Sequence, residues 1–408
     1  MKPTLLQTFP DEKILLVKLK DPSFHKQKTT LIPPIGLLCL REAITDRDRV
    51  TILDENLGES LETHLETNQY DIIGLSVMFS AQHSQYLQAA KLAKKHAKII
   101  IAGGHHAAFV PPPPGIDILI RGQGEPFFTR GQINIAFPKP AYNFMVPYWN
   151  ANLPHDLQSK TKRWFPTITS RGCPYKCGYC TMNNFWGSPQ FYKCAAIYNH
   201  FTDLATIGIK EIFIEDDNLT LNKDHFKMVI DALKFFDFWW STPNGISPKS
   251  IQDPTTLNLI NNSKCWRLSL AFETGVEATA SKMGTLHSYL PYKKAEQLVK
   301  NISNMNIKTC GFFIIGYPGE TQENIRTTLE YANALPLDDR YIYIATPYPG
   351  TELFNICIDH KILKYSPPEL YEHLWYTEGL IDTPEFHGAQ IEQIKQADRE
   401  KALRRKDE

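Results

Sequence analysis

"RGCPYKCGYC", residues 171–180, places Cys173, Cys177 and Cys180 within eight positions, three of the chain's eight cysteines. No histidine falls between residues 156 and 199 to complete a site with them. Thiolates are soft ligands that suit zinc, copper(I) and iron–sulfur clusters. A structural zinc site closes with four protein ligands, whereas a cubane cluster on three thiolates keeps one iron open to a small molecule. The stretch therefore reads as an open, reactive metal centre. A closed four-cysteine site through Cys194 is disfavoured, because Cys194 lies in the helical run "QFYKCAAIYNHF", where burial in the core is expected. Cys39, Cys265, Cys310 and Cys357 are scattered singly. They suit small buried hydrophobes in a reducing compartment and indicate no auxiliary cluster.

Outward from this stretch the chain alternates between strand and helix patterns. Six strand candidates follow one another from residue 165: "FPTITS", "EIFIED", "FWWSTPNGI", "RLSLAFE", "KTCGFFIIG" and "RYIYIATP". Amphipathic runs separate them, which predicts a partial (β/α)6 TIM-type barrel over residues 165–356, with functional side chains at the strand ends. Asp216, Asp217, Asn244, Glu273 and Tyr317 fall there. The N-terminal part has five short apolar strands spaced by helices, the pattern of a doubly wound, Rossmann-like α/β domain, placed at residues 1–130. Ser76, Gly103, Gly104, Gly122 and Gly124 lie at its strand ends, where glycines allow a ligand close approach to the backbone. Residues 131–164 lose periodicity and read as a proline-fixed linker. Residues 357–408 form a C-terminal extension whose "PPELYEHLWYTEGL" is a candidate cap over a substrate cavity.

With 408 residues and 42 % hydrophobic content, the chain can bury large cores. Lysine plus arginine and aspartate plus glutamate both total 44, so no long-range field favours nucleic acid or an anionic membrane. The terminal "KALRRK" is broken by neighbouring acids and reads as a solvated helix end. Runs such as "GFFIIGY" are far shorter than the ~20 residues that span a bilayer, and no signal peptide is evident at the N-terminus. A soluble, cytoplasmic protein with no membrane span is expected.

The C-x3-C-x2-C spacing has the aromatic Tyr179 before its last cysteine. "IEDDN", "NGI", "FETG", "GFFIIGYPGET" and "PYPGT" follow in order, and together these motifs resemble the radical S-adenosylmethionine superfamily. The resemblance implies that Cys173, Cys177 and Cys180 hold a 4Fe-4S cluster whose unique iron chelates the amino and carboxylate groups of S-adenosylmethionine. It further implies that Glu273 meets the ribose and that Ile315, Gly316 and Tyr317 flank the adenine, with Tyr179 and Asn244 close to the cofactor. The family's frequent "GGE" is replaced by "EDDN", so Asp216 or Asp217 is the implied contact for the methionine amine. Capping of the next helix by Asp217 or Asn218 is the plainer reading of these residues.

"PPIGLLCLREAI", "VTILDEN", "DIIGLSVMFS", "IIIAGGHHA" and "IRGQGEPFF" resemble, in order, the cobalamin-binding domain found ahead of such barrels. That resemblance implies a corrin site at Ser76, Met78, Gly103, Gly104, His105, Gly122, Gly124 and Glu125. The first loop, "LKDPSFHKQKTT", lacks the D-x-H-x-x-G motif that supplies histidine to cobalt. His25 therefore reads as solvent-exposed, His105 and His106 as pocket-lining, and the lower face of cobalt as free of a protein histidine.

Together the two resemblances imply a cobalamin-dependent radical S-adenosylmethionine enzyme fed by an external electron donor of flavodoxin or ferredoxin type. Its implied reaction is methylation of an unactivated carbon of a small molecule or peptide through methylcobalamin and a 5'-deoxyadenosyl radical. Ring formation or rearrangement without methyl transfer stays open. A non-catalytic sensor is disfavoured by the intact cysteines, and a tRNA methylthiotransferase by the lack of a basic RNA-binding appendage. Trp186, Trp239, Trp240 and Tyr317 are candidates to line a pocket, with core packing as the plainer reading.

Overall fold

The computed structural model describes residues 12–21, 31–44, 46–128, 136–151 and 159–407, with side chains to residue 401. His25 and most of the "KALRRK" side chains lie outside the described residues. Two compact units emerge, one of residues 1–168 with 192–211, the other of residues 169–191 with 212–408.

In the first unit five strands form one sheet: β1 (Ile14–Lys18), β2 (Val50–Asp54), β3 (Ile72–Ser76), β4 (Ile99–Gly103) and β5 (Ile118–Leu119). Their order is β2-β1-β3-β4-β5, all paired in parallel. Helices alternate with these strands, and burial of successive residues in β1 and β3 explains why they are apolar throughout rather than alternating. Ile14, Leu16, Ile72 and Ile101 share a core with Leu37 of helix Ile35–Ala43 and with Phe128. The order reverses direction at β1, the switch point where such sheets open a crevice at their carboxyl edge.

The expected linker is not featureless. It contains helix Tyr142–Asn150, which buries Met145 and Tyr148 despite Pro147 in its last turn. The Tyr148 hydroxyl donates to Asp54 Oδ2 at 2.9 Å, and the Trp149 indole donates to the Trp164 carbonyl at 2.8 Å. Asp54 also holds Lys18 at 3.1 Å, so the end of β2 is tied both to β1 and to this helix.

The remaining strands are β6 (Trp164–Thr167), β7 (Ser170–Arg171), β8 (Gln190–Phe191), β9 (Glu211–Ile214), β10 (Trp239–Ile246), β11 (Cys265–Glu273), β12 (Lys308–Ile315) and β13 (Asp339–Ile344). Six of them form a sheet in the order β13-β12-β11-β10-β9-β6, with parallel pairing from β10 through β13. Helices between successive strands make this the sequential βα order of an incomplete barrel. β7 and β8 pair separately and antiparallel, a two-residue ribbon at either end of the cysteine segment. Helix starts are set by side-chain caps: Asn222 accepts from the His225 amide, Asp253 from Thr256, Thr321 from Asn324 and Thr351 from Phe354. Among the described residues no helix is long and apolar enough to cross a membrane.

Replacing Tyr148 with Phe removes the bond to Asp54 and leaves the ring in place. The expected cost is about 1 kcal/mol, read as a lower urea midpoint. An unchanged midpoint would mean that helix Tyr142–Asn150 is not docked as described.

Candidate functional site

The cysteine segment leaves β7 through Gly172, whose φ of +86° suits only glycine without strain. Its path is held by two adjacent carboxylates at the end of β9. Asp216 Oδ1 accepts the Thr169 amide at 2.5 Å, and Oδ2 accepts the hydroxyls of Thr169 and Ser170 at 2.7 and 2.6 Å. Asp217 Oδ2 accepts the Gly172 amide at 2.7 Å. Burial raises the pKa of Asp216 against these hydrogen bonds, and burial with the neighbouring Asp216 charge pushes Asp217 up to about 6.

Both oxygens of Asp216 and Oδ2 of Asp217 thus serve the entry to the cysteine turn. The capping reading fails as well, because Asn222 caps the next helix. Glu215, which sequence reasoning passed over, has a buried Oε1 with no hydrogen-bond partner and a pKa pushed up to about 7 by burial and by Asp216. Its backbone carbonyl accepts Asn244 Nδ2 at 2.9 Å, which fixes the exposed Asn244 at the end of β10.

Beyond Gly172 the turn is fastened at further points. Asn183 Nδ2 donates to the Cys173 carbonyl at 3.2 Å, the Cys180 amide to Cys177 at 2.9 Å, and the Gly178 amide to Met283 at 2.9 Å. The Gly178 carbonyl accepts from the Leu353 amide at 2.7 Å. A Cβ on Gly178 would collide with the Tyr317 hydroxyl, which is buried and without a hydrogen-bond partner. Tyr317 is therefore a wedge behind the turn and not an open surface. Its amide donates to Glu320 Oε2 at 2.9 Å, and Gly316 makes the bend after Ile315 with φ +81°.

Cys173, Cys177 and Cys180 are all free thiols and partly accessible. Asn218 Nδ2 lies 4.0 Å from Cys173 Sγ. Burial raises all three thiols, Cys180 to about 12, and their mutual repulsion adds to the rise at Cys177 and Cys180. Glu273, in a left-handed conformation at φ +66°, hydrogen-bonds Tyr179; burial lifts its pKa to about 7. Tyr179 is driven well above its ordinary value by burial and by the Glu273 and cysteine charges. Among the described residues no three His, Cys, Asp or Glu side chains converge tightly enough for a single metal ion. Cys194 is exposed at the start of helix Cys194–Thr206, contrary to the expected core position. The helix begins at this residue, so there is no preceding turn to cover it. Trp240 is core, its indole donating to Ser263, while Trp186 lies under the Arg171 guanidinium.

At the carboxyl edge of the first unit, Gln82 Oε1 accepts the amides of Met78 and Phe79, both at 3.0 Å, and its Nε2 donates to the Leu19 carbonyl at 2.9 Å. This clamp presents Met78 and Phe79, 39 % and 53 % exposed, just past Ser76. His106 contacts Ser80 through Nδ1 and His83 through Nε2, both at 2.9 Å, so neither ring nitrogen is left for a metal. Burial lowers His105 to about 4 and His106, with help from His83, to about 3. Gly104, at φ +103°, and Gly124 meet protein rather than open space: a Cβ would lie 2.5 Å from the Val77 carbonyl oxygen and 2.6 Å from Leu40 Cδ2 respectively. Gly103 would meet Ile120 at 3.6 Å, Gly122 turns at φ +96°, and Glu125 is buried at the head of helix Glu125–Phe128.

These features are those of two joined cofactor domains. The chain matches the B12 binding domain over residues 29–130 and the Radical SAM superfamily over residues 167–332, and it belongs to the radical S-adenosylmethionine enzymes that carry a cobalamin-binding domain. Among known proteins it is 26 % identical over 275 residues to cytidylyl-2-hydroxyethylphosphonate methyltransferase of Streptomyces wedmorensis, covering 64 % of this chain and 50 % of that protein. The chain thus spans half the length of that relative. It is 21 % identical over 340 residues to bacteriochlorophyllide d C-12(1)-methyltransferase of Chlorobaculum tepidum, covering 79 % of this chain and 73 % of that one. The solved structure of the radical S-adenosylmethionine methyltransferase TsrM from Kitasatospora setae shares its fold, with TM-score 0.62 and 15 % identity over 87 % of this chain and 76 % of that chain.

The cofactors of these domains are a 4Fe-4S cluster, S-adenosylmethionine and cobalamin. The residues fit them. Three free thiols in one fastened turn that feel one another's charge suit a four-iron cluster, whose core's positive charge would relieve their raised pKa values. A clamped loop with two exposed apolar side chains matches the flat face of a corrin.

Glu320 is fully buried and pushed up to about 7 by burial, from 4.5. The folded chain keeps this proton to higher pH than the unfolded chain does, so the contribution of Glu320 to stability falls as pH rises from about 4.5 to about 7. In metal-free protein, Glu320→Gln is expected to flatten the loss of stability by about 1 kcal/mol per pH unit, measured as urea midpoints at about pH 5.5 and about pH 7.5. An unchanged slope would refute the assignment.

Proposed function

We propose that the protein is a cobalamin-dependent radical S-adenosylmethionine C-methyltransferase acting on a small molecule or peptide, with electrons from an external flavodoxin- or ferredoxin-type donor. The observation that carries the reading is the stapled turn that offers three free thiols. Eight free cysteines support work in a reducing, cytoplasmic setting.

When bound, the cluster supplies the electron that cleaves S-adenosylmethionine, and cobalamin carries the methyl group. Cys173, Cys177 and Cys180 would hold the cluster, with Asn218 donating toward the first sulfur. Glu215 takes the methionine amine, since both Asp216 oxygens and Asp217 Oδ2 serve the turn. Glu273 and Tyr179 hold the ribose side, with Asn244 at the rim, and Ile315 and Gly316 bound the adenine side. In the first unit Met78, with Ser76, Gly103, His105 and Gly122, borders the corrin, whereas Gly104 and Gly124 pack against the protein and Glu125 is buried. His106 is withheld from cobalt by Ser80 and His83.

Turnover of the reconstituted enzyme decides between methylation and rearrangement. Methylation releases S-adenosylhomocysteine together with 5'-deoxyadenosine; 5'-deoxyadenosine alone would favour ring formation or rearrangement. Alanine at Cys173, Cys177 or Cys180 is expected to abolish iron binding and both products. Glu215→Gln is expected to weaken S-adenosylmethionine binding by roughly tenfold or more while iron content is kept, about the loss of one charge-assisted hydrogen bond. Equal binding by that variant would return the role to another residue.

A further inference from the structure

The barrel sheet has two unlike faces. Side chains alternate along a strand, and paired residues on adjacent strands point the same way. Phe272 and Phe313 both pack on Tyr331 of helix Gln322–Ala334, with ring centroids 6.0 and 6.1 Å away. They therefore face the helical layer. Ala271 and Phe312 point to the opposite, inner face. Register pairs Ala271 with Phe312 and Phe312 with Tyr341, and Tyr343 lies two residues further along the same face.

On that inner face the rings form an ordered wall. Tyr341 and Tyr343 are nearly parallel, 9° between planes and 6.2 Å between centroids. Phe312 meets them edge-on at 6.0 and 5.8 Å, and Tyr376 of the C-terminal extension stands at 90° to Tyr343, 5.2 Å away. Gly245 gives its space to the wall itself: a Cβ there would lie 2.9 Å from Ala271 Cβ and 3.0 Å from the Phe312 ring, so those side chains already occupy it.

Accessibility separates the two faces. On the helical side Phe272, Phe313, Ile342 and Ile344 are all buried. Gly245, Ala271, Phe312, Tyr341 and Tyr343 each keep accessible surface, and Tyr376 is 37 % exposed. Rings that only filled a core would be closed over by neighbours. These keep part of their edges and faces accessible, at the spacings aromatic pairs favour.

We propose, resting on the reading above that this barrel modifies an organic substrate, that the wall binds a planar aromatic ring. Phe312 and the tyrosines take its face and edges, Tyr376 closes it from the C-terminal extension, and Gly245, by lacking a side chain, lets Phe312 seat beside Ala271.

The test uses the full chain reconstituted with iron, sulfide, S-adenosylmethionine and hydroxocobalamin, titrated calorimetrically with 1-naphthaleneacetate and with its saturated decahydro counterpart. The aromatic probe is expected to bind about tenfold more tightly. Phe312→Leu and Tyr343→Leu, which keep apolar bulk, are expected to reduce that preference to about twofold or less. Gly245→Val, whose side chain would displace the Phe312 ring, is expected to abolish the preference for the aromatic probe; should it not fold, the leucine variants carry the test. Equal affinity for the two probes, no binding of either, or tighter binding of the saturated probe would overturn the inference. Visible absorbance of the cluster, read on the same samples, keeps the two readings apart: its loss in the unaltered chain counts against the proposed function, whereas its retention without ring preference removes only this inference.

Discussion

Two neighbouring carboxylates at the end of one strand govern where the reactive turn begins. Asp216 and Asp217 are buried side by side, an arrangement that raises both pKa values and disfavours charge. It persists because amides and hydroxyls of residues 169–172 meet their oxygens. A buried charge is tolerable when several donors converge on it, and the same convergence leaves those donors one place to be. The β9 end thus fixes the departure of the chain from β7, and the cysteines follow from that point.

Much of this architecture is readable from the residues. The five N-terminal strands and the six of the barrel fall where apolar runs predict them, because long runs with regular spacing leave little choice of partner layer. Short or interrupted elements escaped. β7 and β8 have two residues each, too few for any period. Helix Tyr142–Asn150 hid behind its proline, although Tyr142, Met145 and Trp149 share the spacing of one helical face.

The site was legible in composition but not in orientation. Three cysteines with an aromatic before the last announced the metal turn. Among Glu215, Asp216 and Asp217, however, nothing in a run of adjacent acids says which carboxylate turns toward the backbone of another strand. Only the hydrogen bonds separate them. The glycines at the N-terminal edge show a related limit: a glycine needed for close approach does not name its neighbour, and at Gly104 and Gly124 the neighbour is the protein itself. The inner aromatic wall was missed for a different reason. Phe312, Tyr341 and Tyr343 sit in strands apolar on both faces, where the face that stays open cannot be read from the pattern.

The contact of Gly178 with the Tyr317 hydroxyl has a lasting consequence. One atom of a side chain 139 positions away in sequence acts as a gauge against which the metal turn is set. Exchange of this loop for one from a relative would need a matching change at the gauge. The two stretches therefore form a single unit of inheritance, even though most of the barrel's chain lies between them.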